Sequence, residues 1–202
     1  MAKPLFIVLD GIDGSGKGTI IELLYNYLFS LKKYRILTTA EPTSGKYGKE
    51  IRNILKKEKD PMKGAERCFE LYIKDREEHL KQEIEPFLKL NDSIVICDRY
   101  YYSTIAYQNA QGMPLKTLLN ANKNFRKPDI AFILDLPPEQ ALERIHKARQ
   151  KEKFEQLSFM LKIRENFLAL KTHLSDNIRV IDASKSKNHV FDQIKEELDK
   201  LL

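Results

Sequence analysis

No run in this sequence approaches the roughly 18 consecutive apolar residues that cross a bilayer, and no basic and apolar leader precedes its first hydrophobic stretch. Membrane insertion and secretion are therefore not expected. Cysteine is scarce: Cys68 and Cys97 lie far apart without metal-ligand neighbours, so they offer neither a disulfide framework nor a zinc cluster. Cys97 closes an apolar run and reads as a buried free thiol, in keeping with a reducing cytoplasm. The chain also lacks an arginine-rich tail and an RNA-binding aromatic motif. Its formal net charge of +6 comes from basic residues interleaved with acids. That spread argues against nucleic acid as a partner and suits a protein whose ligands are polyanionic phosphates. With no linker, no internal repeat and no second composition regime, the 202 residues read as one globular domain, 1–202.

What is present centres on residues 5–19, LFIVLDGIDGSGKGT. An apolar run from Leu5 to Leu9 reads as a buried parallel strand, and a glycine-rich turn follows it. An amphipathic segment (Ile20, Ile21, Leu23, Leu24, Tyr27, Leu28) then reads as a helix. Strand, turn and helix start are the setting of a phosphate-binding loop. Gly11, Asp13, Gly14, Ser15, Gly16, Lys17, Gly18 and Thr19 supply backbone N–H groups that converge on an anion, and the helix dipole adds to the attraction. Lys17 then reaches the β- and γ-phosphates. The match to G-x-x-x-x-G-K-S/T holds from Gly11 to Lys17, but Gly18 stands where a hydroxyl is expected and Thr19 comes one place later. The hydroxyl ligand to Mg²⁺ is thus in question, and the metal is held through water or by another acid.

Five short apolar runs read as strands: Leu5–Asp10, Arg35–Ala40, Ser93–Asp98, Ile130–Asp135 and Arg179–Asp182. Helical patterns separate them, which predicts an α/β fold with a doubly wound parallel sheet of about five strands flanked by helices. Four of these runs end in Asp (Asp10, Asp98, Asp135, Asp182) and the other leads into Glu41, so carboxylates collect where such sheets bind ligands. Residues 46–58 read as a helix carrying Arg52. A longer helix is predicted from about Ala65 to Leu88, its apolar stripe wide enough to face both the sheet and a partner subunit. Pro138 opens a helix carrying Arg144, and a dense charged stretch runs from His146 to Glu155.

The run SIVICDRY ends an apolar strand in Asp98, the position expected of a carboxylate that holds phosphate-bound Mg²⁺, with Arg99 beside it as a phosphate ligand. Moving a phosphoryl group between nucleotides needs several cations, and Arg52, Arg76, Arg99, Arg144 and Arg149 all lie in segments that can overhang the strand ends. No N-K-x-D guanine-recognition motif is present. A kinase with two phosphorylated substrates fits this set better than a GTPase.

The loop GIDGSGKGT, the sequence Glu41-Pro42-Thr43 followed by GKEIR, LYIKDREEHL, DRYYYSTIAYQ and DLPPEQALERI together resemble the thymidylate kinases, P-loop nucleoside monophosphate kinases that phosphorylate dTMP. The blocks fall in that family's order and cover most of the chain from Phe6 to about Asn166. The resemblance implies a P-loop NTPase-type three-layer fold with a short lid at about 146–155, ATP and Mg²⁺, and a homodimer. By position it implies that Asp13 binds the deoxyribose 3′-hydroxyl, that Glu41 lies near Mg²⁺ and the acceptor, and that Arg52 grips the dTMP phosphate. Tyr72 matches the aromatic that stacks on thymine, Arg76 the arginine that binds a base carbonyl, and Thr104 with Gln108 the polar pair on the pyrimidine edge. Tyr107 matches the tyrosine that disfavours a ribose. Without the resemblance, Tyr72 and Tyr107 read as core residues and Arg76 as solvated. Lys17, Arg99 and a lid cation are implied as catalytic; Gly14 replaces an arginine that some members carry, so Arg149 first, or Lys153, takes that role. Arg144 and Lys185 match the adenine side. Metal ligands are expected among Asp98, Glu41 and Thr19. A broader nucleoside monophosphate kinase, and a non-catalytic nucleotide sensor, are the competing readings.

Overall fold

A computed structural model describes residues 3–58, 64–145 and 150–202, the side chains of 150–156 excepted. The central strand, β1 (Leu5–Asp10), is buried along its whole length because apolar residues face both surfaces of the sheet. It pairs in parallel with β3 (Ser93–Asp98) on one side and β4 (Ile130–Asp135) on the other. The edges are β2 (Arg35–Ala40) against β3 and β5 (Ile178–Asp182) against β4, giving the order β2-β3-β1-β4-β5. The edge strands are partly exposed, as their mixed polar sequences require. Each buried side chain of Phe6, Ile7, Leu9 and Phe132 contributes about 1.5–3 kcal/mol by leaving water.

Helices join the strands. α1 (Lys17–Ser30) follows the glycine loop, and α9 (Lys187–Asp199) lies beside it, with Tyr27 and Phe191 in edge-to-face contact at 6.1 Å. α2 (Lys46–Lys57) packs on α3 (Ala65–His79). The helix predicted as continuous from 65 to 88 is instead interrupted: after α3 comes a π-helical turn, Leu80–Ile84, and then a short α4 (Glu85–Leu88). Such a turn inserts a residue without breaking helical direction, so periodicity alone does not reveal it. α5 (Tyr101–Ala110) leads into α6 (Leu115–Asn122). α7 (Pro138–Ile145) follows β4, and α8 (Gln150–His173) lies against α5, where Tyr107 meets Phe167 at 6.2 Å. The predicted lid, 146–155, falls on residues whose backbone or side chains lie outside those described, Arg149 and the Lys153 side chain included. No helix among the described residues is long and apolar enough to cross a membrane.

The switch in strand order falls at β1, whose neighbours β3 and β4 belong to opposite halves of the sheet. Ligands in such sheets bind beyond the carboxyl ends at that point. The glycine loop, Asp98 and Arg99 all emerge there.

Candidate active site

The loop between β1 and α1 is closed by backbone bonding (Ser15 N–H to Ile12 O, 3.3 Å) and leads into α1 through Gly16, which has a left-handed φ of 93°. No side chain caps α1 and no acid lies in its first turn, so its N-terminal N–H groups are left for an anion. Asp13, Gly14, Gly16 to Thr19, Asp98 and Arg99 line a cavity of about 380 Å³ at this point. Lys17 donates to the carbonyls of Gly11 (3.2 Å) and Ile12 (3.0 Å), and burial, with Arg99 nearby, lowers its pKa to about 8. The buried Oδ1 of Asp98 has no hydrogen-bond partner among the described residues. Asp98 also lines this cavity, and a carboxylate oxygen without a partner there fits a hard divalent cation. No cluster of three His, Cys, Asp or Glu residues among those described could hold a metal. A cation held by one carboxylate together with phosphate and water is a common arrangement for Mg²⁺.

A second, larger cleft of about 740 Å³ opens beside the first and shares Asp13 and Arg99 with it. Arg99 is the junction. Its guanidinium donates to Asp13, to Ser103 Oγ (2.8 Å) and to Gly11 O (3.4 Å), and it lies 5.5 Å from the Tyr107 ring centre. Its backbone is held at φ 67°, an uncommon conformation for a residue with a side chain, while its N–H bonds Leu9 O. Burial works against the charge, but Tyr107, Asp13 and Asp10 nearby hold the guanidinium pKa above its ordinary value.

The floor of the larger cleft is a buried polar network. Arg76, fully buried, donates through Nε to Glu41 Oε2 (2.9 Å), through Nη1 to Asn122 Oδ1 (2.7 Å) and through Nη2 to Thr104 Oγ1 (2.9 Å), and its Nη2 also lies 2.7 Å from Glu41 Oε2 as an ion pair. A guanidinium has five N–H donors. Three of them are used in these hydrogen bonds, and the guanidinium lines the cleft, where its remaining edge is available to a ligand. Gln108, also buried, donates to Gln111, while its own Oε1 has no partner among the described residues. Tyr72 and Tyr107 stand in the wall, and burial pushes the Tyr107 hydroxyl up to about 12. An arginine donor, an amide acceptor and two aromatic faces provide what a planar heterocycle requires.

The thymidylate kinase family profile matches residues 9–194. A probable thymidylate kinase of Thermococcus kodakarensis is 37% identical over 98% of both chains. The thymidylate kinase of Leptospira interrogans is 41% identical over 95% of this chain and 92% of its own, and a probable one of Pyrococcus horikoshii is 39% identical over 94% and 93%. This chain belongs to the thymidylate kinase family.

The residues that match the family by position do not all meet in the cleft. Asp13, Glu41, Tyr72, Arg76, Arg99, Thr104, Tyr107 and Gln108 line it. Arg52 does not; it is exposed on α2 and donates to the carbonyls of Pro42 and Thr43. Glu41 has both carboxylate oxygens engaged, by Arg76 and His79, whereas Asp98 keeps Oδ1 without a hydrogen-bond partner among the described residues. Thr19 is exposed in the phosphate cavity. Arg144 bonds Gly14 O (3.4 Å) and Ala183 O (3.3 Å), and Lys185 sits 3.7 Å from Asp182 near the end of β5. Arg76, read from sequence alone as solvated, is fully buried, because Glu41, Asn122 and Thr104 satisfy it. The expectation that strand-terminal carboxylates gather at the ligand also needs correction. Asp10 is buried under Tyr100 N–H, Ser103 N–H, Ser103 Oγ and Gly11 N–H. Asp135 is paired with Arg164, and Asp182 is bonded by Ser184.

Several supporting residues were not singled out in the sequence. Asp75 accepts from Thr43 N–H (2.7 Å) and Thr43 Oγ1 (2.6 Å), fixing the segment after Glu41. His79 and Asn122 anchor Glu41 and Arg76. The spacing of Asp75, Arg76 and His79 within one helical turn was the available signal.

Proposed function

We propose that the protein transfers the γ-phosphoryl group of ATP to the phosphate of dTMP, giving dTDP and ADP. The observation that carries this reading is Arg99: one guanidinium lines both the phosphate cavity and the cleft with the base-sized polar floor. A reacting group between the two cavities meets that cation from either side. The donor triphosphate lies along Gly11–Thr19, with Lys17 turning from the loop carbonyls to the phosphates and Arg144 and Lys185 on the adenine side. The acceptor base lies between Tyr72 and the Arg76, Thr104 and Gln108 edge, with its sugar near Asp13 and Tyr107. Arg52 takes the acceptor phosphate after leaving the carbonyls of Pro42 and Thr43.

The acceptor phosphate is already anionic, so no general base is needed. The protein's work is positioning and charge stabilisation. Asp98 is the residue that would hold Mg²⁺, with Thr19 close by. Mg²⁺, when bound with ATP, neutralises charge on the phosphate oxygens. Lys17, Arg99 and a lid cation, Arg149 or Lys153, stabilise the charge of the transferring group, and closing the lid excludes water. We also infer one domain acting in the cytoplasm as a homodimer, with the half-buried Phe69 and Ile73 of α3 toward the partner.

A coupled ADP-release assay with ATP and Mg²⁺ across dTMP, dUMP, dCMP, dAMP, dGMP and AMP tests the reading. A strong preference for dTMP is expected. Comparable turnover of several monophosphates would leave a kinase but remove the pocket assignment, and no turnover with any would leave a nucleotide sensor.

A further inference from the structure

We propose that His79 is a positioning residue for the acceptor base: it holds Glu41 so that Arg76 presents the free edge of its guanidinium to the cleft. The inference rests on the acceptor assignment above. Glu41 divides its two oxygens. Oε2 accepts from Arg76, and Oε1 faces His79 Nδ1 at 3.1 Å. His79 and Arg76 are three residues apart on one face of α3 and grip the same carboxylate from the end of β2. The far side of the imidazole is fixed as well: Nε2 lies 2.7 Å from Thr39 Oγ1 and 3.1 Å from Glu83 Oε2, and the Thr39 hydroxyl itself donates to Glu83 (2.9 Å).

His79 is 4% exposed, yet it is absent from the residues lining the cleft. It touches neither base nor phosphate and acts through Glu41. Its purpose follows from how Arg76 is held. Three of its five N–H groups are bound, one each to Glu41, Thr104 and Asn122, and the direction of the guanidinium edge left for the cleft depends on where those acceptors stand. Thr104 is fixed on α5 and Asn122 on α6. Glu41 lies on the connection after β2, and without His79 only Arg76 restrains its carboxylate. Loss of the imidazole leaves Oε1 buried without a donor, so the carboxylate turns and carries the guanidinium with it. The π-helical turn that begins at Leu80 directly follows His79, as such turns often do beside a functional residue.

The test compares wild type, H79L, H79Q and T39V in steady-state kinetics and thermal melting. H79L removes both ring bonds; H79Q restores a donor to Glu41; T39V removes the outer anchor on β2. For H79L the KM for dTMP should rise by about tenfold or more. The KM for ATP should stay at the wild-type value and kcat should change far less, since Lys17, Asp98 and Arg99 are untouched. H79Q should recover most of the loss, and T39V should show a smaller rise of the same kind. A purely structural role predicts a lowered Tm with the KM for dTMP unchanged, or with both KM values raised together; either result overturns the proposal. If H79L does not fold, T39V decides: wild-type KM for dTMP overturns it, and a selective rise upholds it. Wild-type enzyme that fails to use dTMP would instead overturn the acceptor assignment itself.

Discussion

Lys17 holds its ammonium against the carbonyls of Gly11 and Ile12, in a position that burial makes costly for a charge. Its pKa is lowered from 10.5 to about 8, so between those values the unfolded chain binds more protons than the folded one. The free protein should therefore gain stability as pH rises from about 8 toward 10.5. Below pH 8 the lysine is charged in both states and the penalty is fully present. Bound phosphates reverse the preference, because they favour the charged form. ATP binding should take up protons near pH 8 and weaken above it. Titration calorimetry in buffers of different ionisation enthalpy, from pH 7 to 9.5, reads both effects, and K17M should abolish the proton uptake. A constant affinity with no proton uptake across that range would contradict this role for Lys17.

Other residues show what charge patterns in a sequence leave open. Asp10, Asp98, Asp135 and Asp182 end strands in the same way, yet only Asp98 keeps a buried oxygen without a partner. For two of them what decides is distant in sequence, Ser103 and Tyr100 for Asp10 and Arg164 for Asp135, while Asp182 is taken by the nearby Ser184. Arg76 is the clearest case, because a lone arginine reads as solvated. Its acceptors lie 28 to 46 residues away, where no local pattern reports them.

Among the elements, the junction of α2 and α3 fixes the segment that follows β2. Asp75 of α3 bonds the Thr43 N–H and hydroxyl, while Arg52 of α2 bonds the Pro42 and Thr43 carbonyls. Gly48 lets α2 approach so closely that a Cβ there would lie 1.9 Å from Thr43 O. The G48A substitution must push α2 away and should cost about 1–3 kcal/mol. For a chain of this size that corresponds to a Tm lower by about 2–4 °C per kcal/mol, with a raised KM for dTMP. An unchanged Tm and KM would show that α2 does not hold this segment. The strands were legible because buried apolar runs closed by an acid have few other readings. The helix from 65 to 88 was legible in extent but not in its π turn. α8 was hidden behind the charged stretch at 146–155, although Met160, Ile163, Phe167 and Leu170 repeat at helical spacing and are buried. Gly14 stands where the resemblance implies an arginine in some members, and a side chain fits poorly there. With φ at 79°, a Cβ there would lie 2.8 Å from Ala141 O of α7.

At the scale of the whole molecule, β1 places the donor loop and the β3 terminus side by side, and Arg99 spans the two cavities they frame. On the proposed reading, that arrangement supports direct transfer from donor to acceptor over hydrolysis of ATP alone. The decisive measurement is ³¹P NMR of the protein with ATP, Mg²⁺ and dTMP. The account predicts dTDP and ADP appearing in equal amounts, without free phosphate. ADP and inorganic phosphate accumulating while dTMP stays unchanged would contradict it.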